Sequence, residues 1–157
     1  MTFGLAFAAA IGSGLMAGLF FVFSVTIMSA LGKLPASAGI AAMQSINTTI
    51  LSPLFLTAFM GTALVCVVLA IIAMLNWAGP ASGWLVAGTL LYVAGTFLVT
   101  IVFNVPMNDA LAASAADSGE AAAIWSRYLS VWTGWNHVRT VTSTAALGAF
   151  ICALRQL

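Results

Sequence analysis

Residues 132–143 read WTGWNHVRTVTS and place the chain's one histidine, His137, two positions before Arg139, in a sequence with only four lysines and arginines. An imidazole can accept a proton near neutral pH, and a guanidinium beside side-chain amides can stabilise the enolate or phenolate that forms when an acidic C–H loses that proton. A second polar group, FNVPMNDAL at 103–111, sets Asn104, Asn108 and Asp109 around Pro106. Together with Asn47 and Asn136, these residues supply the imidazole, guanidinium, carboxylate and amides that such a reaction needs. Asp109 either orients the imidazole or pairs with Arg139, and spacing leaves both open. One histidine and scattered carboxylates form no recognisable ligand set, and there is no dinucleotide or phosphate fingerprint, haem-attachment motif or nucleophile elbow. Metal catalysis is therefore the less attractive expectation, and no cofactor is predicted from a motif.

Helical geometry constrains how these groups can be shared. At about 100° per residue, a helix beginning near Trp135 or Asn136 places Asn136 on one side with Arg139, Thr140 and Ser143, and His137 near Thr140, Val141 and Thr144. His137 and Arg139 then point about 200° apart, so a regular helix cannot aim both at one small ligand. Plainer explanations exist for each group. Arg139 can reach headgroups, His137 can be a hydrogen-bonded interfacial residue, and asparagines beside Pro106 can satisfy backbone that proline loosens. One polar pocket would account for all of them together.

The elements that must position such a pocket follow from composition. The chain has 157 residues, of which 63% are hydrophobic and 4% charged, against roughly 25% charged in an ordinary globular domain. Too few polar residues remain to cover a surface in water, so the expected solvent is lipid. A net charge of +1 provides no basic footprint for nucleic acid. Cys66 and Cys152 lie in apolar runs and read as small buried hydrophobes. Four runs of about 20 apolar residues suit transmembrane helices, at 3–29, 54–75, 84–105 and roughly 136–154. The predicted architecture is all-α, a single integral membrane domain over 1–157 built as a four-helix bundle. The first run is too long for a signal-peptide core and lacks a basic leader, so it is expected to be a retained span.

The connections are unequal. NWAGPASG at 76–83 is a tight turn by its glycine and proline content, so 30–53 and 106–135 share the opposite membrane face. That face receives Lys33, Asp109, Asp117, Glu120, Arg127 and Arg139 and leaves Arg155 alone at the other end. It is expected to hold the site and, by the distribution of positive charge, to face the cytoplasm. Both long connections are predicted to be partly helical. IAAMQSINTTI at 40–50 has helical spacing, and DSGE at 117–120 is related to a capping box that starts a short helix towards Tyr128. Trp125, Tyr128, Trp132 and Trp135 suit an interfacial aromatic belt. Gly14 with Gly18, and Thr57 with Gly61, have the spacing of close helix contacts and fit either a monomer or a dimer.

GLMAGLFFVFS (14–24), AMQSIN (42–47), FNVPMNDAL (103–111), and W-x-x-Y followed by WNHVRT (125–128, 135–140) resemble the anthrone oxygenase-like family of small four-helix membrane proteins. The resemblance spans nearly the whole chain. It implies an oxygenase that converts an anthrone to an anthraquinone with molecular oxygen as co-substrate and no cofactor. By match to the family's motifs, Asn104, Asn108, Asn136, His137 and Arg139 are the implied site residues. His137 is the candidate base, with Asn108, Asn136 and Arg139 stabilising the anion and Asn47, Asn104, Asp109 and Trp135 contacting an apolar aromatic substrate. The competing expectation is a noncatalytic lipid or quinone binder, or an accessory subunit of a membrane complex. A small transporter is a weaker third, because no midspan charge pathway is visible.

Overall fold

The computed structural model describes residues 1–116 and 120–157, which form five helices and no strand. These are α1 (Thr2–Leu31), α2 (Ala36–Thr49), α3 (Pro53–Leu75), α4 (Ser82–Ala112) and α5 (Ala121–Leu154). All but α2 are long and apolar enough to cross a membrane. The outward faces agree with a lipid solvent, since Leu64 and Val141 are each 66% exposed alongside Phe7, Ile11, Phe21 and Ile71. Contiguous apolar surface of this kind is not sustained in water.

Local sequence explains where the helices begin and turn. Ser52 caps α3 by accepting from the Phe55 N–H at 3.3 Å, with Pro53 at the first helical position, where its missing N–H costs nothing. The α3–α4 turn closes through Gly79 N–H to the Asn76 carbonyl at 2.9 Å and the Ser82 hydroxyl to the same carbonyl at 2.7 Å. Around the bundle the order is α1, α3, α4, α5, so each of these four long helices packs antiparallel to its neighbours. Phe20, Phe59, Leu69, Leu85, Tyr92 and Phe150 fill the middle. A second cluster around Phe23, Met43, Leu111, Trp125, Tyr128 and Trp132 fills the end that α2 covers.

Three expectations are corrected. Pro106 does not end its helix. A π-helical turn at Thr100–Asn104 precedes it, Pro106 falls at the start of the next α-helical segment, and α4 runs on to Ala112. The widened turn before it accommodates the ring and the missing N–H, so the helix continues past Pro106. Likewise the helix of the fourth apolar run does not begin near Trp135 or Asn136, because α5 is continuous from Ala121 through a π turn at Tyr128–Trp132. The capping expectation for Asp117, Ser118 and Gly119 lies outside the described residues. Finally, within the bundle the tightest helix contacts are not at the predicted glycines, of which only Gly14 faces a neighbour, Leu147, at an ordinary 3.6 Å. A Cβ at Gly18 or Gly61 would meet nothing within 4 Å, whereas one at Gly12, Gly88 or Gly95 would collide with Thr62, Phe150 or Thr142.

Candidate active site

A cavity of about 510 Å3 opens at the end of the bundle where α1 and α4 finish and α3 and α5 begin. π-helical turns lie beside it in three of these helices, at Phe23–Ile27, Thr100–Asn104 and Tyr128–Trp132. Each widened turn inserts an extra residue and re-aims the face that follows, a distortion that recurs at functional sites. Phe23, Thr100 and Trp132 from these turns all line the cavity. Its apolar wall comes mainly from Leu19, Phe20 and Phe23 of α1, Met43 of α2 and Phe55 of α3. Its polar wall carries Asn47, Thr100, Asn108, Asp109 and Arg139.

Arg139 dominates the electrostatics. Its side chain is only 5% exposed, within a helix long and apolar enough to cross a membrane. One Nη donates to Asn136 Oδ1 at 2.7 Å and the other to Thr100 Oγ1 at 3.3 Å, while Nε–H is buried without a partner. The guanidinium lies 4.2 Å from the centre of the Phe20 ring and 5.0 Å from that of Trp132. Aromatic faces and neutral oxygens offset part of the desolvation of a cation but leave its charge uncompensated. An oxyanion entering the cavity would gain most from that unbalanced field.

Asn136 holds this arrangement from behind. Its Nδ2 donates to the Phe20 carbonyl at 2.8 Å and to Ser24 Oγ at 2.7 Å, tying α5 to the π turn of α1 while its oxygen holds Arg139. Asn104 is equally buried and donates to the Trp132 carbonyl at 3.2 Å, a tether between α4 and α5. This long-range bond replaces the local backbone repair expected of an asparagine beside Pro106. Asn108 accepts two hydrogen bonds on Oδ1, from Tyr128 Oη and Trp132 Nε1, both at 2.7 Å. Asn47 donates to the same tyrosine oxygen at 3.5 Å.

The expected site residues therefore divide. Asn47, Asn108, Asp109 and Arg139 meet at the cavity, and Asn136 and Asn104 stand behind it. His137 and Trp135 are not brought there. His137 is exposed on the outer side of α5, and Trp135 stacks on Phe103 with ring centres 3.7 Å apart. The reason is the turn of the helix: residues two apart diverge by about 200°, and burying Arg139 beside Asn136 turns His137 outward. Tyr128 and Trp132, expected in an interfacial belt, are buried at 2% and 4% exposure and belong to the site. Their signal was the spacing of Trp125, Tyr128, Trp132, Asn136, Arg139 and Ser143, a stripe with steps of three and four that marks one helix face. Among the described residues, no three His, Cys, Asp or Glu side chains group as metal ligands.

Residues 55–149 match the family model described as anthrone oxygenase. The matched stretch runs from the cavity-lining Phe55 through most of α5, and so includes Asn108, Tyr128, Trp132 and Arg139. Among curated proteins and solved structures, no match was found.

Proposed function

The chain belongs to the anthrone oxygenase family, and from that premise we propose that it is a multi-pass membrane oxygenase acting on an apolar aromatic substrate with an acidic methylene, of the anthrone type. In this reading the substrate lies against Phe20, Phe23 and Phe55, with its ketone or phenolic oxygen towards Arg139 and Asn108. Loss of a methylene proton produces a carbanion delocalised onto that oxygen, and the buried guanidinium stabilises the anion where it forms. The electron-rich anion reduces molecular oxygen. One oxygen atom enters as the new carbonyl, the other leaves as water with the two methylene hydrogens, and the reaction as proposed takes no cofactor. Asp109 replaces His137 as the proposed proton acceptor, since it is the carboxylate lining the cavity among the described residues and its exposure lets the proton pass to water.

One observation carries the reading: a guanidinium buried at a cavity wall with neutral hydrogen-bond partners. Oxygen uptake by the purified protein with an anthrone tests it. Replacing Arg139 by Met, close in volume and uncharged, is expected to leave the bundle folded and to lower turnover by roughly 100-fold or more. Full turnover in that variant would overturn the reading. The largely apolar lining also fits a binder that retains a quinone without reacting. Saturable binding of a quinone, with no oxygen consumed from any anthrone or phenol, would favour that alternative. The proposed location is a membrane, which for a bacterial protein is the plasma membrane.

A further inference from the structure

We propose that Tyr128 and Trp132 are positioning residues that lock the Asn108 amide in one orientation, so that its NH2 group faces the cavity and donates to an oxyanion of the ligand. The charge of that ligand rests on the oxygenase reading, whereas the lock rests on geometry alone.

A side-chain amide has two orientations that differ by exchange of oxygen and nitrogen, and its neighbours choose between them. At Asn108 the choice is forced. The indole Nε1–H of Trp132 is a donor only, and it lies 2.7 Å from Oδ1. The Tyr128 hydroxyl sits at the same distance from the same oxygen, and its own oxygen already faces the Asn47 amide nitrogen at 3.5 Å, so its hydrogen goes to Asn108. A flipped amide would set NH2 against an indole N–H and leave buried donors without acceptors, which is strongly unfavourable. With Oδ1 occupied twice, Nδ2 takes part in neither bond, and Asn108 lines the cavity.

The two locking side chains are themselves held. Trp125, Tyr128 and Trp132 form an aromatic column, with successive ring centres 5.7 and 5.5 Å apart and planes within 17° of parallel. Trp125 packs where any Cβ at position 39 would strike its indole, so Gly39 of α2 fixes the far end. At the near end Trp132 also lies under the Arg139 guanidinium at 5.0 Å. One indole thus aligns both the amide and the cation. A site framed by two donors selects an acceptor atom and favours the ionised over the protonated form of a phenol.

The probe is 4-nitro-1-naphthol, whose phenol and phenolate absorb at different wavelengths, titrated into the full chain in detergent at a series of pH values. The wild-type protein is expected to bind the phenolate in preference to the phenol. Tyr128→Phe keeps the stacked ring and removes one locking donor; it is expected to weaken phenolate binding by about fivefold to tenfold and leave phenol binding unchanged. Asn108→Asp keeps an acceptor for Tyr128 and Trp132 but puts a carboxylate oxygen where the donor was, and is expected to abolish the preference. Phenolate binding unaltered in Tyr128→Phe, or an equal loss of both forms, overturns the proposal. If the wild type does not prefer the phenolate, the oxygenase reading loses its anion site, and the Asn108 side-chain NH2 resonances decide the lock separately. They shift and broaden in Tyr128→Phe if the lock exists, and unchanged resonances overturn it.

Discussion

Asn136 and His137 are adjacent in sequence and opposite in consequence. Asn136 is fully buried and joins the Phe20 carbonyl, Ser24 and Arg139. Replacing it by Ala removes three hydrogen bonds around a buried cation and is expected to cost about 2–3 kcal/mol. Chemical unfolding in mixed micelles measures this. His137 is exposed, so His137→Ala is expected to stay within about 0.5 kcal/mol of wild-type stability and to retain oxygen uptake. A variant without turnover would return the imidazole to the mechanism. Legibility at this scale was uneven. The divergence of His137 from Arg139 was readable from helical geometry, but the side that faced inward was not. That depended on Thr100 and the rings of Phe20 and Trp132, which lie far from Arg139 in sequence or were expected elsewhere.

Among elements, the π turns most affect the site. The Tyr128–Trp132 turn sets the register between the aromatic column, which holds Asn108, and the downstream face that presents Asn136 and Arg139. Val131 lies within this turn and is exposed. Inserting one alanine after Val131 adds a residue that this already widened turn cannot absorb, and is expected to rotate Trp125 and Tyr128 by about 100° relative to Arg139. Helix content by circular dichroism should then be almost unchanged while oxygen uptake is lost; a fully active insertion variant would show that this register is dispensable. The spans were legible because twenty apolar residues have few alternatives to a membrane helix. Their ends were not. Continuation of α4 past Pro106 and of α5 back to Ala121 depends on packing under α2, where Leu111, Trp125 and Tyr128 are buried together.

As a whole, the molecule concentrates its polar chemistry at one end of an apolar bundle. With both ends of the chain on the far side, the cavity face carries Lys33, which is exposed just after α1. If that face is cytoplasmic, as the placement of Lys33 and Arg127 against Arg155 favours, a membrane-impermeant amine reagent should modify Lys33 only after cells are permeabilised. Labelling of Lys33 in intact cells would reverse the orientation. An apolar substrate would then partition from the bilayer into a site whose polar wall is close to water.

The amino-acid sequence by itself determined the number of long apolar helices, the end of the bundle where the polar residues gather and the shared face of Asn136, Arg139 and Ser143. All of these follow from hydrophobic run length and helical period, which are local properties. Tertiary structure alone decided which residues meet. Asn108 finds Tyr128 and Trp132, and Arg139 finds Thr100 and Phe20, only because α1, α2, α4 and α5 pack around one cavity with π turns setting their rotation. A helix records the angles between its own side chains, but its rotation against its neighbours is set by the packing between them.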